Sequence, residues 1–275
     1  MGYFLLFLIL IILYLLLVMP CLDRRKEILD YLNCYYAHRG LHDNDDIPEN
    51  SLQAFREAVL YGYGIELDIQ VTKDNVAVVI HDDNLIRLCG INKKVHETTY
   101  DELSKLKLLN TNIVIPKLTE VLDLVEGKVP LIVEIKTSPN IKNSCSVIAS
   151  ILDGYGGRYC VESFNPFILK WFKRHRPKIL RGQLSTNYFK EKVHQNTFNK
   201  FMLSYLLLNF ISRPDFIAFN IKYKNMLSIQ MNKWLFNTPL FAWTVKNKKQ
   251  LEEVKTFFDS FIFEQFIPKE TGNRK

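Results

Sequence analysis

Short apolar strands alternate with helical stretches along most of this chain of 275 residues. The strand segments are rich in β-branched and aromatic residues, and amphipathic periodicity separates most of them. Eight segments are predicted as strands: 35–39, 65–72, 131–135, 159–163, 179–184, 216–220, 240–245 and 261–263. Their alternation with helices predicts an α/β fold, a closed (β/α)8 barrel, which takes about 250 residues. A doubly wound open sheet is the alternative, but no Gly-x-Gly-x-x-Gly follows the first strand.

The segment 64–82 carries charge where a barrel interior is normally apolar. Glu66 and Asp68 alternate with apolar residues, so a strand would set both carboxylates on one face. A β-branched limb follows and ends in His81, with residues 74–75 as a two-residue turn. In that register Asp68 lies opposite His81, which favours a cation site beside a proton-transfer group. The alternative is a surface hairpin with a polar face.

Polar residues also end the other predicted strands, and chemistry in a barrel is expected at those ends. Glu134 and Lys136 repeat the spacing of Glu66 and Asp68. Three carboxylates with water and phosphate oxygens favour a hard divalent cation, although an ion-pair cluster is the structural alternative. The strand-end residues are His38 and Arg39, Glu66 and Asp68, Glu134 and Lys136, Glu162 and Ser163, Gln183, Asn220, and Trp243 with Thr244.

Two histidines fall among these carboxylates. His38 and His81 can divide general acid and general base duties near neutral pH. No role is predicted for His42, His96, His175 or His194. The sequence has neither a Gly-x-Ser-x-Gly elbow nor a Walker loop. The residues therefore favour metal-assisted hydrolysis or transfer at a phosphate, with Arg39 and Lys136 holding anionic oxygens.

Most of these candidate residues belong to a set of short sequence motifs spread along the chain. The set is His38-Arg39-Gly40, Pro48-Glu49-Asn50-Ser51, Ala54-Phe55, Glu66-x-Asp68, Thr72-Lys73-Asp74, His81-Asp82, Leu85-x-Arg87, Ile115-Pro116-x-Leu118 with Glu120-Val121-Leu122, Glu134-x-Lys136, Ser163-Phe164 and Ala242-Trp243-Thr244. In order and spacing it resembles the glycerophosphodiester phosphodiesterase family, from about Tyr36 to Pro268.

This resemblance implies a TIM barrel with a small insertion at about 85–115 and an enzyme that cleaves glycerophosphodiesters to glycerol 3-phosphate and an alcohol. It implies one divalent cation, Ca²⁺ or Mg²⁺. The residue roles that it implies are Glu66, Asp68 and Glu134 as metal ligands, His38 and His81 as catalytic acid and base, and Arg39, Lys136 and Trp243 as substrate contacts. Open alternatives are a lysophospholipase D-like enzyme acting on membrane lysolipids, release of a cyclic phosphate, and a non-catalytic protein that binds lipid head groups.

Two departures from the family pattern matter. Glu264-Gln265 stands where members often carry Thr-Asp before a proline, which puts a role at that rim in doubt. Asn75 replaces the usual turn glycine, a change that costs little because Asn tolerates positive φ.

The N-terminal region predicts a membrane anchor. Residues 3–19 are uninterrupted and apolar, and as a helix they would span about 25 Å. We therefore expect an anchor at 1–22, a linker at 23–34, the catalytic domain at 35–268 and a tail at 269–275. Arg24, Arg25 and Lys26 follow the apolar run, which favours a cytoplasmic domain by the positive-inside rule. A removed signal sequence is the alternative.

Composition and charge give little information about which class of partner the protein binds. The formal charge of +7 and the pI near 9.0 suit an anionic partner without selecting phosphate, lipid or nucleic acid. No nucleic-acid recognition module is present, so a small-molecule or lipid phosphodiester is the expected partner. The five cysteines include no close pairs, which argues against a disulfide framework and a zinc site.

Overall fold

The computed structural model describes residues 2–192 and 195–268, and its strands form the predicted closed barrel. The strands are β1 (Tyr35–His38), β2 (Gly64–Val71), β3 (Ala77–Val79), β4 (Leu131–Ile135), β5 (Tyr159–Ser163), β6 (Arg181–Ser185), β7 (Phe216–Asn220), β8 (Leu240–Val245) and β9 (Ser260–Phe263). All except β3 are parallel, and β1 closes the ring by pairing with both β2 and β9. β3 is an antiparallel addition to β2. The (β/α)8 TIM barrel is confirmed.

Helices follow most strands. The helices are α1 (Gly2–Val18), α2 (Leu52–Leu60), α3 (Ile86–Cys89), α4 (Tyr100–Leu103), α5 (Leu118–Val125), α6 (Ile141–Leu152), α7 (Pro166–His175), α8 (Thr197–Ser204), α9 (Asn209–Ser212), α10 (Leu227–Trp234) and α11 (Lys248–Val254). Short 3₁₀ helices lie at Glu27–Tyr31, Val95–Glu97 and Ile221–Tyr223. The basic residues 173–175 occupy the last turn of α7, where the helix dipole favours cations.

The two faces of β2 explain how the fold presents its acids. Ile65 and Leu67 pack outward with Phe55 of α2 and Val121 of α5 in the layer between barrel and helices. Successive side chains in a strand alternate between faces, so Glu66 and Asp68 point into the barrel. A separate apolar cluster fills the barrel interior with Tyr36, Ile132, Cys160, Phe216, Phe241 and Ile262. The acids of β2 thus share the interior with an apolar core.

The hairpin register differs from the prediction by one residue. Ile69 pairs with Val79, and the N–H of Ile80 donates to the carbonyl of Asp68, so Asp68 lies opposite Ile80 and not opposite His81. The reason is the loop, which has three residues between Thr72 and Val76 because Asn75 takes a left-handed conformation at φ 65°.

The segment 85–115 folds over β3 as a small satellite. Leu85, Val95 and Leu103 are buried in a cluster with Val78 and Ile80. Thr99 and Glu102 form a capping box for α4. A different helix, α2, is capped by Ser51, whose side chain accepts from the N–H of Ala54. Asn50, the residue before this cap, has a φ of 56°, and its side chain turns toward Asp68 in the barrel.

The membrane prediction is wrong. Among residues 2–192 and 195–268, no helix is long and apolar enough to cross a bilayer. α1 has 17 residues and ends ahead of Pro20, so it measures about 25 Å, whereas a spanning helix needs about 20 residues. The anchor at 1–22, the membrane partnership and the single-pass location with a cytoplasmic domain all depended on that helix. The tail at 269–275 and His194 lie outside the described residues.

Candidate active site

A cavity of about 1010 Å³ opens at the carboxyl ends of the barrel strands. Six of the residues predicted for the site line it: His38, Arg39, Glu66, His81, Glu134 and Trp243. The other two, Asp68 and Lys136, lie behind this lining and contact Arg39 and Glu134. All eight predicted residues are therefore at one end of the barrel.

Glu66, Asp68 and Glu134 form a compact acidic group. Each offers an oxygen within 4.8 Å of the others, and all three residues are buried. Strand pairing explains the convergence, because Asp68 is in register with Glu134 on the neighbouring strand and both side chains face inward. Burial raises the pKa of Glu66 and of Glu134, and the charge of neighbouring acids adds to the rise, although Lys136 opposes it at Glu134. A bound cation would relieve that repulsion.

Glu162 extends the acidic row by one strand. It is in register with Glu134, is 1% exposed, and its Oε2 has no hydrogen-bond partner among the described residues. Burial, with the charges of Glu134 and Asp68, raises the pKa of Glu162 well above its usual value. Buried carboxylate oxygens without partners are costly unless a cation or a proton compensates them. This hard-oxygen donor set fits Mg²⁺ or Ca²⁺.

Two basic side chains partly neutralise the acids. Nζ of Lys136 lies 2.8 Å from Oδ1 of Asp68 and 2.6 Å from Oε1 of Glu134. Nε of Arg39 lies 3.2 Å from Oδ2 of Asp68. Burial opposes ionisation of Asp68, but Lys136 and other nearby positive charges hold its pKa well below the usual range. Asp68 is therefore a carboxylate in the folded protein.

Each predicted catalytic histidine has a carboxylate at Nδ1. Nδ1 of His38 lies 2.6 Å from Oε2 of Glu264, and Nδ1 of His81 lies 2.6 Å from Oδ1 of Asp82. An ionised carboxylate only accepts, so Nδ1 carries the proton and donates, which leaves Nε2 for proton exchange. Nε2 of His38 is 4.0 Å from Oε2 of Glu66. Burial lowers the pKa of His38, although Glu264 opposes this.

Sequence reasoning missed Glu264 as a functional residue. It lies just beyond β9 and also contacts Lys246, with Nζ 2.5 Å from Oε1. Burial opposes ionisation of Glu264, but His38 and Lys246 hold its pKa below its usual range. The available signal was its place at the end of the last strand, where the pair Glu264-Gln265 stands in the position of the Thr-Asp that family members often carry. That replacement was interpreted as a departure that put a role at this rim in doubt.

A second missed feature is an ion-pair network behind His81. Arg87 donates to Asp82 and to both carboxylate oxygens of Glu49. Glu49 also accepts from Nη1 of Arg39 at 2.6 Å. Glu49 belongs to the motif Pro48-Glu49-Asn50-Ser51, which is visible in the sequence. The pattern of predicted strands, however, did not indicate that Arg87 of the insertion would contact it. The network links the insertion to the barrel rim.

Asn50 and Gly40 shape the rim beside this network. Nδ2 of Asn50 donates to Oδ2 of Asp68 at 2.8 Å. Arg39 and Gly40 have φ values of 59° and 81°, so the chain reverses directly after β1. A Cβ on Gly40 would lie 2.7 Å from backbone and side-chain atoms of Ala54. Only glycine avoids this clash, because it has no Cβ. This reversal brings the backbone N–H of Arg39 to 3.0 Å from Oε2 of Glu66.

Several known proteins are similar to this chain in sequence. The model of the glycerophosphoryl diester phosphodiesterase family matches residues 38–260. A glycerophosphodiester phosphodiesterase of Caldanaerobacter subterraneus is 32% identical, over 82% of this chain and 91% of the relative. A lysophospholipase D of Rattus norvegicus is 34% identical, over 46% of this chain and 44% of the relative.

Solved structures share the fold. A phosphodiesterase of Oleispira antarctica, in complex with its product sn-glycerol 3-phosphate, has a TM-score of 0.69 at 19% identity, covering 85% of this chain and 93% of its own. A glycerophosphodiester phosphodiesterase of Parabacteroides distasonis has a TM-score of 0.65 at 23% identity, covering 84% and 92%. Together with the family match, the Caldanaerobacter relative shows that this chain belongs to the glycerophosphodiester phosphodiesterase family and is a phosphoric diester hydrolase.

Proposed function

We propose that this chain hydrolyses glycerophosphodiesters to glycerol 3-phosphate and an alcohol, with Glu66, Asp68 and Glu134 binding one divalent cation. The observation that carries the proposal is the convergence of those three carboxylates with two imidazoles in one cavity. The family match agrees with this chemistry. The catalytic unit proposed is 35–268, with the insertion at 85–115.

The acidic group is suited to Ca²⁺ or Mg²⁺, which prefer carboxylate oxygens and retain sites for water and phosphate oxygens. When bound, such a cation would polarise a phosphoryl oxygen and offset charge that develops on it. The protein's part is to hold the ligands. Asn50 orients Asp68 through a 2.8 Å hydrogen bond, and strand pairing fixes Glu134 beside it.

His38 and His81 are proposed as the catalytic pair. Each is held at Nδ1 by a carboxylate, so each can take or give a proton at Nε2. One imidazole takes the proton of the attacking water, and the other gives a proton to the oxygen of the leaving alcohol. This division lets a phosphodiester be cleaved near neutral pH without a strong base.

Substrate contacts are proposed for Arg39, Lys136 and Trp243. Arg39 lines the cavity and can donate to phosphate oxygens through its guanidinium. Lys136 lies between Asp68 and Glu134, so its contribution to phosphate binding depends on a shift of its ammonium group toward the cavity. Trp243 also lines the cavity and offers it an apolar ring surface.

Product analysis tests the proposal. The purified full chain, supplied with Ca²⁺ or Mg²⁺, is expected to release glycerol 3-phosphate and choline from glycerophosphocholine. Phosphorus NMR separates this product from a cyclic phosphate, in which a substrate hydroxyl attacks instead of water. A panel of head groups without turnover under any of these metals would overturn the proposal and favour a non-catalytic binding protein.

A further inference from the structure

Glu162 is a fourth buried acid at the carboxyl end of the barrel, outside the acidic group of Glu66, Asp68 and Glu134. Those three offer oxygens within 4.8 Å of one another, close enough to share one cation. Among residues 2–192 and 195–268, Glu162 is not part of that group. It nevertheless lines the same cavity and is 1% exposed. One cation bound by the group therefore leaves the carboxylate of Glu162 unpaired.

Parallel register sets Glu162 directly beside Glu134. The two residues are partners on the neighbouring strands β4 and β5, and paired strands lie about 4.8 Å apart. Both side chains point into the barrel, because Ile132 and Cys160, one strand period earlier, belong to the apolar cluster of the interior. Two carboxylates at this separation can bind one ion between them.

The described part of the chain offers Glu162 no neutralising partner. Its Oε2 is buried and accepts no hydrogen bond from residues 2–192 or 195–268. Nζ of Lys136 lies 2.8 Å from Oδ1 of Asp68 and 2.6 Å from Oε1 of Glu134, so this ammonium group is already engaged. A buried carboxylate without a partner is costly, which favours an external cation beside Glu162.

The charges at this end of the barrel leave room for two divalent ions. Arg39 and Arg87 are matched by Glu49 and Asp82, so the four buried acids are offset only by Lys136. One divalent cation would still leave a negative charge, and a bound phosphodiester would add another. A second divalent cation would neutralise both.

The hydroxyl of Tyr188 is an independent sign of a missing ligand. Tyr188 lines the cavity and is 4% exposed, and its hydroxyl has no hydrogen-bond partner among the described residues. Its backbone N–H donates to Oγ of Ser204 at 2.9 Å, and its ring meets that of Phe164 edge-on, so its position is fixed. Burial and the charge of Glu134 raise the pKa of Tyr188, which keeps the hydroxyl a donor. A cation-bound water or a phosphate oxygen would supply the acceptor.

We propose that Glu134 and Glu162 bind a second divalent cation, next to the one bound by the acidic group. The inference rests on the proposed function, because Glu134 is shared between the two ions. Water and phosphate oxygens complete the second site, since Mg²⁺ is commonly held by one or two carboxylates together with substrate phosphates. Ion pairs of this kind lie about 3.5–4 Å apart and hold a phosphate from two sides.

Manganese binding tests this on the full chain. Mn²⁺ prefers carboxylate oxygens as Mg²⁺ does, and its unpaired electrons report on a neighbouring ion. We expect equilibrium dialysis to give two Mn²⁺ per chain and electron paramagnetic resonance to show coupled spins, because the ions are about 4 Å apart. One Mn²⁺ per chain, or two without coupling, would overturn the inference and leave the proposed function intact. No binding of Mn²⁺, Ca²⁺ or Mg²⁺ would overturn both.

A single substitution assigns the second ion to its ligands. Glu162→Gln removes a charged ligand of the second ion and none of the first, so we expect its binding to weaken by at least about tenfold and the coupling to vanish. Glu126→Gln makes the same change at the exposed end of α5 and should keep the coupled pair. A coupled pair in Glu162→Gln would contradict the assignment. Glu162→Met, which has a similar volume and no charge, repeats the test if Glu162→Gln does not fold.

Discussion

Nδ1 of His38 lies 2.6 Å from Oε2 of Glu264, so the first and last barrel strands meet at a hydrogen bond between a proposed catalytic base or acid and a carboxylate. β1 and β9 are paired neighbours, which keeps this bond at the point where the barrel closes. A neutral imidazole bonded in this way has its free nitrogen at Nε2. Glu264 thereby sets the orientation and tautomer of His38.

Replacing Glu264 with Gln is expected to lower kcat about 10- to 100-fold, because a neutral amide no longer fixes the ring and its tautomer as a carboxylate does. Steady-state kinetics and the thermal midpoint are measured together. Glu252→Gln makes the same change at an exposed position and should have no effect. If Glu264→Gln keeps full activity with an unchanged midpoint, Glu264 does not position His38.

Removal of either proposed catalytic imidazole should leave a folded, nearly inactive protein. We expect His38→Gln and His81→Gln each to reduce kcat about 10³-fold, which is within the range of lost acid–base catalysis. Circular dichroism checks the fold. His175→Gln, at the exposed end of α7, is the matched control and should retain activity. Activity retained in His81→Gln would remove His81 from the pair.

The ion pairs of Glu49 are expected to make the stability of the fold sensitive to acid. Burial opposes its ionisation, but Arg87 and then Arg39 lower its pKa to about 2. Because the folded pKa lies below the unfolded value near 4.5, the pairing stabilises the fold above about pH 4.5 and is lost as pH falls toward 2. Urea denaturation should show Glu49→Gln less stable than the wild type by about 3 kcal/mol at pH 7.

The difference in unfolding free energy between the wild type and Glu49→Gln should shrink as the pH falls from 5 to 2. A difference in unfolding free energy that stays constant over that range would show that Glu49 contributes through packing and not through its charge.

Cation affinity can be separated from catalysis. Titration calorimetry with Ca²⁺ and with Mg²⁺ should show binding to the wild type and a loss of affinity of at least about tenfold in Glu134→Gln, since a charged oxygen ligand is removed. Glu126→Gln, an exposed residue at the end of α5, should bind as the wild type does. Unchanged affinity in Glu134→Gln would place the cation elsewhere.

Much of this site follows from strand period and strand order. The alternation in β2 put Glu66 and Asp68 on one face, and parallel register then brought Glu134 alongside, without any tertiary information. The eight strands and the capping box at Thr99 were predictable for the same local reasons.

Other features depend on distances that a sequence does not contain. The hairpin register turned on whether the loop had two or three residues, which the φ of Asn75 decided. Glu264 was missed because its contact with His38 spans 226 positions of chain. Lys136 was predicted at the cavity but lies behind its lining, because Asp68 and Glu134 hold its ammonium. The predicted membrane anchor was wrong because α1, with 17 residues, is too short to cross a bilayer.

The most direct test of the account is cation-dependent release of glycerol 3-phosphate by the purified chain. Glycerophosphocholine is incubated with the protein as prepared, after EDTA, and after EDTA followed by excess Ca²⁺ or Mg²⁺, with Glu134→Gln in parallel. We predict that EDTA abolishes product release, that one of the two cations restores it, and that Glu134→Gln is inactive throughout. Full activity in EDTA, or a fully active Glu134→Gln, would contradict the account.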